Sequence, residues 1–98
     1  MKPVEFHPEA RQEALDAQTH LDAQQIGSGT DFDLELRTAV DRIRQQPRLY
    51  PIELGRVRRC ILPRFSYSVL YADLPGRIWI AAVAHHRRRP YYWRQRRP

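Results

Sequence analysis

Apolar and polar positions alternate along this chain with two different periods. Val4 and Phe6 stand against Glu5 and His7, which predicts a short opening strand over residues 3–7. Pro8 follows where the first turn of a helix tolerates it, and Glu9 where the helix dipole favours an acid. Ala10, Ala14, Ala17 and Leu21 then recur at helical spacing, a stripe of small residues that lets a second helix approach closely. Gly27-Ser28-Gly29 interrupts the pattern, and Thr30 or Asp31 is placed to cap a second helix over residues 31–46. Its buried face carries Phe32, Leu36, Ala39 or Val40, and Ile43, and Pro47 ends it by disfavouring helix in the residue before it. Together the two predict a helical hairpin.

The second half changes to a period of two. After a loop containing Pro47, Pro51 and Gly55, residues 56–62 alternate as a strand, and Pro63-Arg64-Phe65 leads to a second strand over residues 66–72. Asp73-Leu74-Pro75-Gly76 reads as a tight turn, and Arg77 to His85 is the most hydrophobic strand. Tyr67 and Tyr71 share a face of the middle strand, and Trp79 covers the sheet. The order β-α-α-β-β-β predicts an α+β fold, with an N-terminal strand and a helical hairpin packed on one face of a small, mostly antiparallel sheet. Residues 1–98 suit a single domain. The end of the chain, 94–98, has nothing apolar to bury and is expected to fray.

Charge divides the chain at the same place. Residues 1–50 carry six Lys and Arg against nine Asp and Glu; residues 51–98 carry eleven Arg against only Glu53 and Asp73. A compositional bias would spread arginine evenly, so its segregation points to a polyanionic partner that planar, forked donors can grip. The lone Cys60 excludes an intramolecular disulfide and, flanked by Val57, Ile61 and Leu62, reads as a buried thiol suited to a reducing cytoplasm. No signal-peptide core and no bilayer-length apolar stretch occurs, so a cytoplasmic protein without a membrane partner is expected. The four histidines lack metal-ligand spacing, and no phosphate-cradling glycine loop or nucleophile elbow is present, so no metal or other cofactor is expected.

Several runs, in this order across some ninety residues, carry a resemblance. An opening strand leads into Glu9-Ala10-Arg11; Asp31-Phe32 and Ile43-Arg44-Gln45-Gln46-Pro47 mark the second helix; Arg58-Arg59 and Arg64-Phe65-Ser66-Tyr67-Ser68-Val69-Leu70-Tyr71 follow. Ile78-Trp79-Ile80-Ala81-Ala82-Val83-Ala84-His85 with Arg87-Arg88, Pro90 and Tyr92-Trp93 closes the series. The sequence resembles the RelE/ParE family, the toxins of bacterial type II toxin–antitoxin modules. The resemblance implies a toxin held silent by a cognate antitoxin. It leaves two activities open: ParE-like toxins inhibit DNA gyrase without cleaving anything, and RelE-like toxins cut mRNA on the ribosome.

For a metal-independent endoribonuclease, His85, His86 and Arg87 are the catalytic candidates: histidine titrates in the right range and arginine stabilises phosphate charge. Successive strand residues face opposite ways, so only one histidine can point into a given site. Arg58, Arg59, Arg64, Arg87, Arg88 and Arg89, with Tyr92 and Trp93, are the candidates for binding an anion, nucleic acid or the antitoxin. Tyr91, Tyr92 and Trp93 can stack on bases; packing of Tyr92 and Trp93 against the sheet is the competing use. RelE-type nucleases place an arginine where this chain has Ser68, which supplies no cation. That departure shifts weight towards the ParE-like, non-catalytic reading.

Overall fold

The computed structural model describes residues 1–98, and each change of period in the sequence becomes a change of element. Strand β1 (Val4–Phe6) leads into helix α1 (Pro8–Gln24), whose first turn is capped by His7, its Nδ1 accepting the Glu9 N–H at 3.1 Å. Helix α2 (Ser28–Gln45) returns along α1, followed by strands β2 (Ile52–Leu54), β3 (Val57–Leu62), β4 (Tyr67–Leu74) and β5 (Arg77–His85). The five strands form one sheet in the order β1-β5-β4-β3-β2, antiparallel except for the parallel β1–β5 pair. The α+β architecture is as expected, with one added strand: β2 lies in the stretch read as loop, where Pro51 and Gly55 mask a three-residue edge strand with irregular pairing.

Helix α2 begins earlier than its own residues suggest, at Ser28 rather than near Thr30 or Asp31. Its cap comes from the other helix: Asp22 Oδ1 accepts the backbone N–H of Gly27 at 3.2 Å and of Gly29 at 2.8 Å. Gly27 takes a left-handed conformation (φ 94°) that turns the chain back. At Gly29 the helices nearly touch, since a Cβ there would sit 2.5 Å from the Gln18 carbonyl oxygen.

The sheet is buried on both faces. The hairpin covers one, where Ala10, Ala14 and Ala17 of α1 and Phe32, Leu36 and Ile43 of α2 pack on Tyr67, Val69, Tyr71, Ile78, Ile80 and Val83. The other face carries Leu70, Ala72, Leu74, Trp79 and three alanines of β5, and Trp93 from the C-terminal segment lies over it. Strand β5 contains a bulge: Leu70 pairs with Ala82 and Tyr71 with Ile80, leaving Ala81 unpaired. Ala81 and Ala82 therefore both lie on the face away from the hairpin. From there the alternation is shifted by one. Val83 and His85 face the hairpin; Ala84 and His86 face the other way.

Because β1 has only three residues, the outer edge of β5 beyond Ile80 has no strand partner. Two side chains take its place. Glu13 Oε1 accepts the Val83 N–H at 3.0 Å, and Arg96 Nη1 donates to the Ala81 carbonyl at 2.9 Å. The two are joined by a pair of 3.0 Å hydrogen bonds, and the Tyr92 hydroxyl donates to Glu13 Oε2 at 2.7 Å. The chain end expected to fray over 94–98 is thus anchored at Arg96. A cation of that end is a clasp that spans 83 positions of sequence.

Candidate functional site

The arginine- and histidine-rich end of the chain is divided by the sheet into two cavities. On the hairpin side, a cavity of about 560 Å³ is lined by His20 and Gln24 of α1, by Arg64 to Tyr67, and by His85 and Arg87. His85 Nδ1 accepts the Arg87 backbone N–H at 3.0 Å, so Nε2 carries the proton of the neutral ring. The ring meets Tyr67 edge-on at 5.0 Å. Burial pushes the His85 pKa below its usual value, and Arg87, His86 and His20 add to the effect. Arg64 lies over Phe65, 3.7 Å from Asp31 and 3.9 Å from Glu35 of α2. Arg87 has no carboxylate partner.

On the open side, a cavity of about 250 Å³ gathers Arg59, Ser68, His85, His86, Arg88 and Arg89 beneath the Tyr91-Tyr92-Trp93 segment. Arg59 Nε donates to Ser68 Oγ at 3.0 Å, and the same oxygen lies 2.9 Å from His86 Nε2. Arginine has no acceptor, so the hydroxyl takes the Arg59 hydrogen bond; a neutral His86 receives the hydroxyl proton, and a protonated one gives its own. Ser68 is 1% exposed, and these partners satisfy it. Arg59 also lies 3.8 Å from Glu53.

The other candidates have structural employment. Arg58 faces the hairpin side and donates to the carbonyls of Tyr50 at 2.8 Å and Arg48 at 3.4 Å, holding the loop after α2. Arg88 stacks over the Tyr92 ring at 3.8 Å and approaches Glu13 at 3.8 Å. Tyr92 is tied to Glu13, and burial followed by the Glu13 carboxylate raises its phenol above the usual value. Trp93 is 5% exposed in the second core, so it packs rather than offering a free ring face. Arg87 and Arg89 have no carboxylate partner, Arg59 and Arg64 have only the long pairs with Glu53, Asp31 and Glu35, and these four arginines are split between two cavities instead of converging on one.

That division limits the chemistry. In-line cleavage of RNA needs a base and an acid on opposite sides of one phosphate. His85 lines both cavities, with its ring against Tyr67 on the hairpin side, whereas Arg87 lines only the hairpin-side cavity and His86 only the other. Each cavity supplies cationic and hydrogen-bond donors, which suits binding. No three of the His, Cys, Asp and Glu side chains gather to hold a metal ion, and no helix is long and apolar enough to cross a membrane. Glu13, central to the clasp, escapes sequence reading: it is one acid among the polar positions flanking the alanine stripe.

A family model described as the ParE toxin of type II toxin–antitoxin system, parDE, matches residues 4–90. Among solved structures, the chain is similar to one titled the chromosomal ParDE TA system from P. aeruginosa. The TM-score is 0.65 at 14% identity, covering 87% of this chain and 96% of that one. At this identity the likeness is one of fold. No curated protein matches the chain.

Proposed function

The chain belongs to the ParE toxin family of type II toxin–antitoxin systems, and we propose that it acts by binding and inhibiting DNA gyrase until a cognate antitoxin neutralises it. The observation that carries a binding rather than a cutting mechanism is the Arg59–Ser68–His86 chain on the open face. At the position where RelE-type nucleases use a cation, this protein has a buried hydroxyl already bonded to both neighbours. His85, meanwhile, is turned to the hairpin side, with Nδ1 occupied by the Arg87 amide. Of the nuclease candidates, Arg87 lies in the hairpin-side cavity and His86 in the other, which favours binding over cutting.

A binding toxin needs a charged, preformed surface, and this fold supplies one. Arg59 stands on strand β3 over a buried core and is presented at little entropic cost, and Arg89 adds a second cation from the exposed segment that follows β5. The excess of arginine in residues 51–98 steers the protein towards acidic partners, giving association rates that fall as salt rises.

Two assays in parallel test the reading. Purified toxin is expected to abolish gyrase supercoiling of relaxed plasmid, and the 5′ ends of messages on translating ribosomes are expected to stay unchanged after induction. Codon-phased cuts with normal supercoiling would overturn the proposal in favour of an mRNA endonuclease built on His86, Arg59 and Arg89.

A further inference from the structure

The C-terminal segment crosses the open face and divides it, with Trp93 as the shared wall. Beyond Trp93, away from His86, lies a separate cavity of about 340 Å³. Its floor is apolar: Leu54, Leu74, Trp79 and Trp93. Its rim is cationic, and apart from Arg96, which Glu13 holds, its arginines have no carboxylate partner. Arg56 makes no hydrogen bond or ion pair, Arg94 reaches only the Tyr91 carbonyl at 3.1 Å, and Arg97 only the carbonyls of Arg94 and Arg96 at 3.4 and 3.3 Å. No acidic side chain lines the cavity. Three guanidinium groups around an apolar hollow, with no counter-ion, complement a ligand that is apolar at its centre and anionic at its edges.

The tryptophans decide between peptide and nucleic acid. Base recognition needs an exposed ring face for stacking. Trp79 and Trp93 are each 5% exposed, so the cavity can accept an apolar plug but offers no platform. A carboxylate pairs with the arginine fork in bidentate fashion, and a leucine or phenylalanine side chain on the same peptide fills the floor. We propose that this cavity receives an acidic segment of the antitoxin, one apolar side chain seated against the exposed Leu54 at the edges of Trp79 and Trp93 and its flanking carboxylates on Arg56, Arg94 and Arg97. The antitoxin is the protein partner that family membership itself implies. The inference rests on that membership and not on gyrase as the target.

The chain has only two tryptophans, and both line this cavity, so their emission reports occupancy directly. Full-length toxin is titrated with the synthetic peptide Glu-Asp-Leu-Phe-Glu-Asp. A saturable change in emission is expected, weakened at least about tenfold by the R56E/R97E variant and at least about tenfold when Leu-Phe becomes Ser-Ser. The charge-matched variant R37E/R48E, on exposed arginines elsewhere, is expected to change affinity less than about threefold. Thermal melts check that both variants are folded. The purified cognate antitoxin is expected to displace the peptide. The proposal is overturned by non-saturable binding, by equal loss in the two variants, by displacement with an octathymidine at the same concentration, or by an antitoxin that binds and leaves the peptide in place. None of these readouts depends on supercoiling, so a toxin that spares gyrase still passes or fails here.

Discussion

Replacing Glu13 by alanine should be among the most destabilising single changes in this protein, although Glu13 is a helix-surface acid. Its carboxylate accepts the Val83 N–H and the Tyr92 hydroxyl and takes both terminal nitrogens of Arg96. The pair is largely desolvated, with side-chain exposures of 13% for Glu13 and 10% for Arg96. Losing one partner of such a pair costs about 3–5 kcal/mol, because the other charge stays buried. An orphaned Val83 N–H on the unpaired edge of β5 accounts for about 1–3 kcal/mol within that total. In a domain of this size the loss corresponds to a fall in Tm of more than about 12 °C. Urea unfolding followed by circular dichroism measures it. Glu13→Gln keeps a carbonyl for Val83 and should fall between wild type and Glu13→Ala. Arg96→Met keeps an apolar stem, and a double-mutant cycle with Glu13→Ala should give a coupling of at least about 1.5 kcal/mol. Arg97→Ala, one residue away and exposed, should stay within about 0.5 kcal/mol of wild type. A Glu13→Ala cost below about 1 kcal/mol, or a coupling near zero, would refute the clasp.

Three further outcomes are expected. The folded His85 pKa lies below its unfolded value, so the stability it contributes is complete above about pH 6.5 and is lost as pH falls through the lowered folded value; His85→Gln should flatten the stability curve between pH 7 and 5, and an unchanged slope contradicts the burial of this ring. Tyr71 is fully buried, donates to the Pro47 carbonyl at 2.6 Å, and has its phenol pushed up to about 12, mainly by burial. Its contribution is complete below pH 10 and is lost as pH rises through 12, so the advantage of wild type over Tyr71→Phe in alkaline denaturation should shrink by about 3 kcal/mol across that window. Gly29→Ala places a methyl 2.5 Å from the Gln18 carbonyl and should cost about 1–3 kcal/mol by prising α1 from α2; a loss under about 0.5 kcal/mol would mean the hairpin yields at that contact.

The elements were legible because each is set by its own residues. The alanine stripe of α1, the Phe32–Ile43 face of α2 and the alternation of β4 and β5 are local patterns with one period each. Charge segregation and the run of family-like residues likewise lie on the chain in plain order, and they sufficed for the α+β fold and the toxin family. The cap of α2 was misplaced because its donor groups answer to Asp22, on the preceding helix.

The site was legible only as a list of residue types. Which arginines are free depends on partners far along the chain: Arg58 is taken by the loop at Tyr50, Arg88 by Tyr92 and Glu13, and Arg96 by a helix 83 positions away. The faces of His85 and His86 depend on the unpaired Ala81, and a bulge arises from the register of two strands together, so no period in one of them foretells it. The sequence by itself determined the elements, their order and the charge they carry, since these follow from neighbours in the chain. Only the tertiary structure decided which side chains share a cavity and which cations are already spent, since hydrogen bonds and burial are made between neighbours in space.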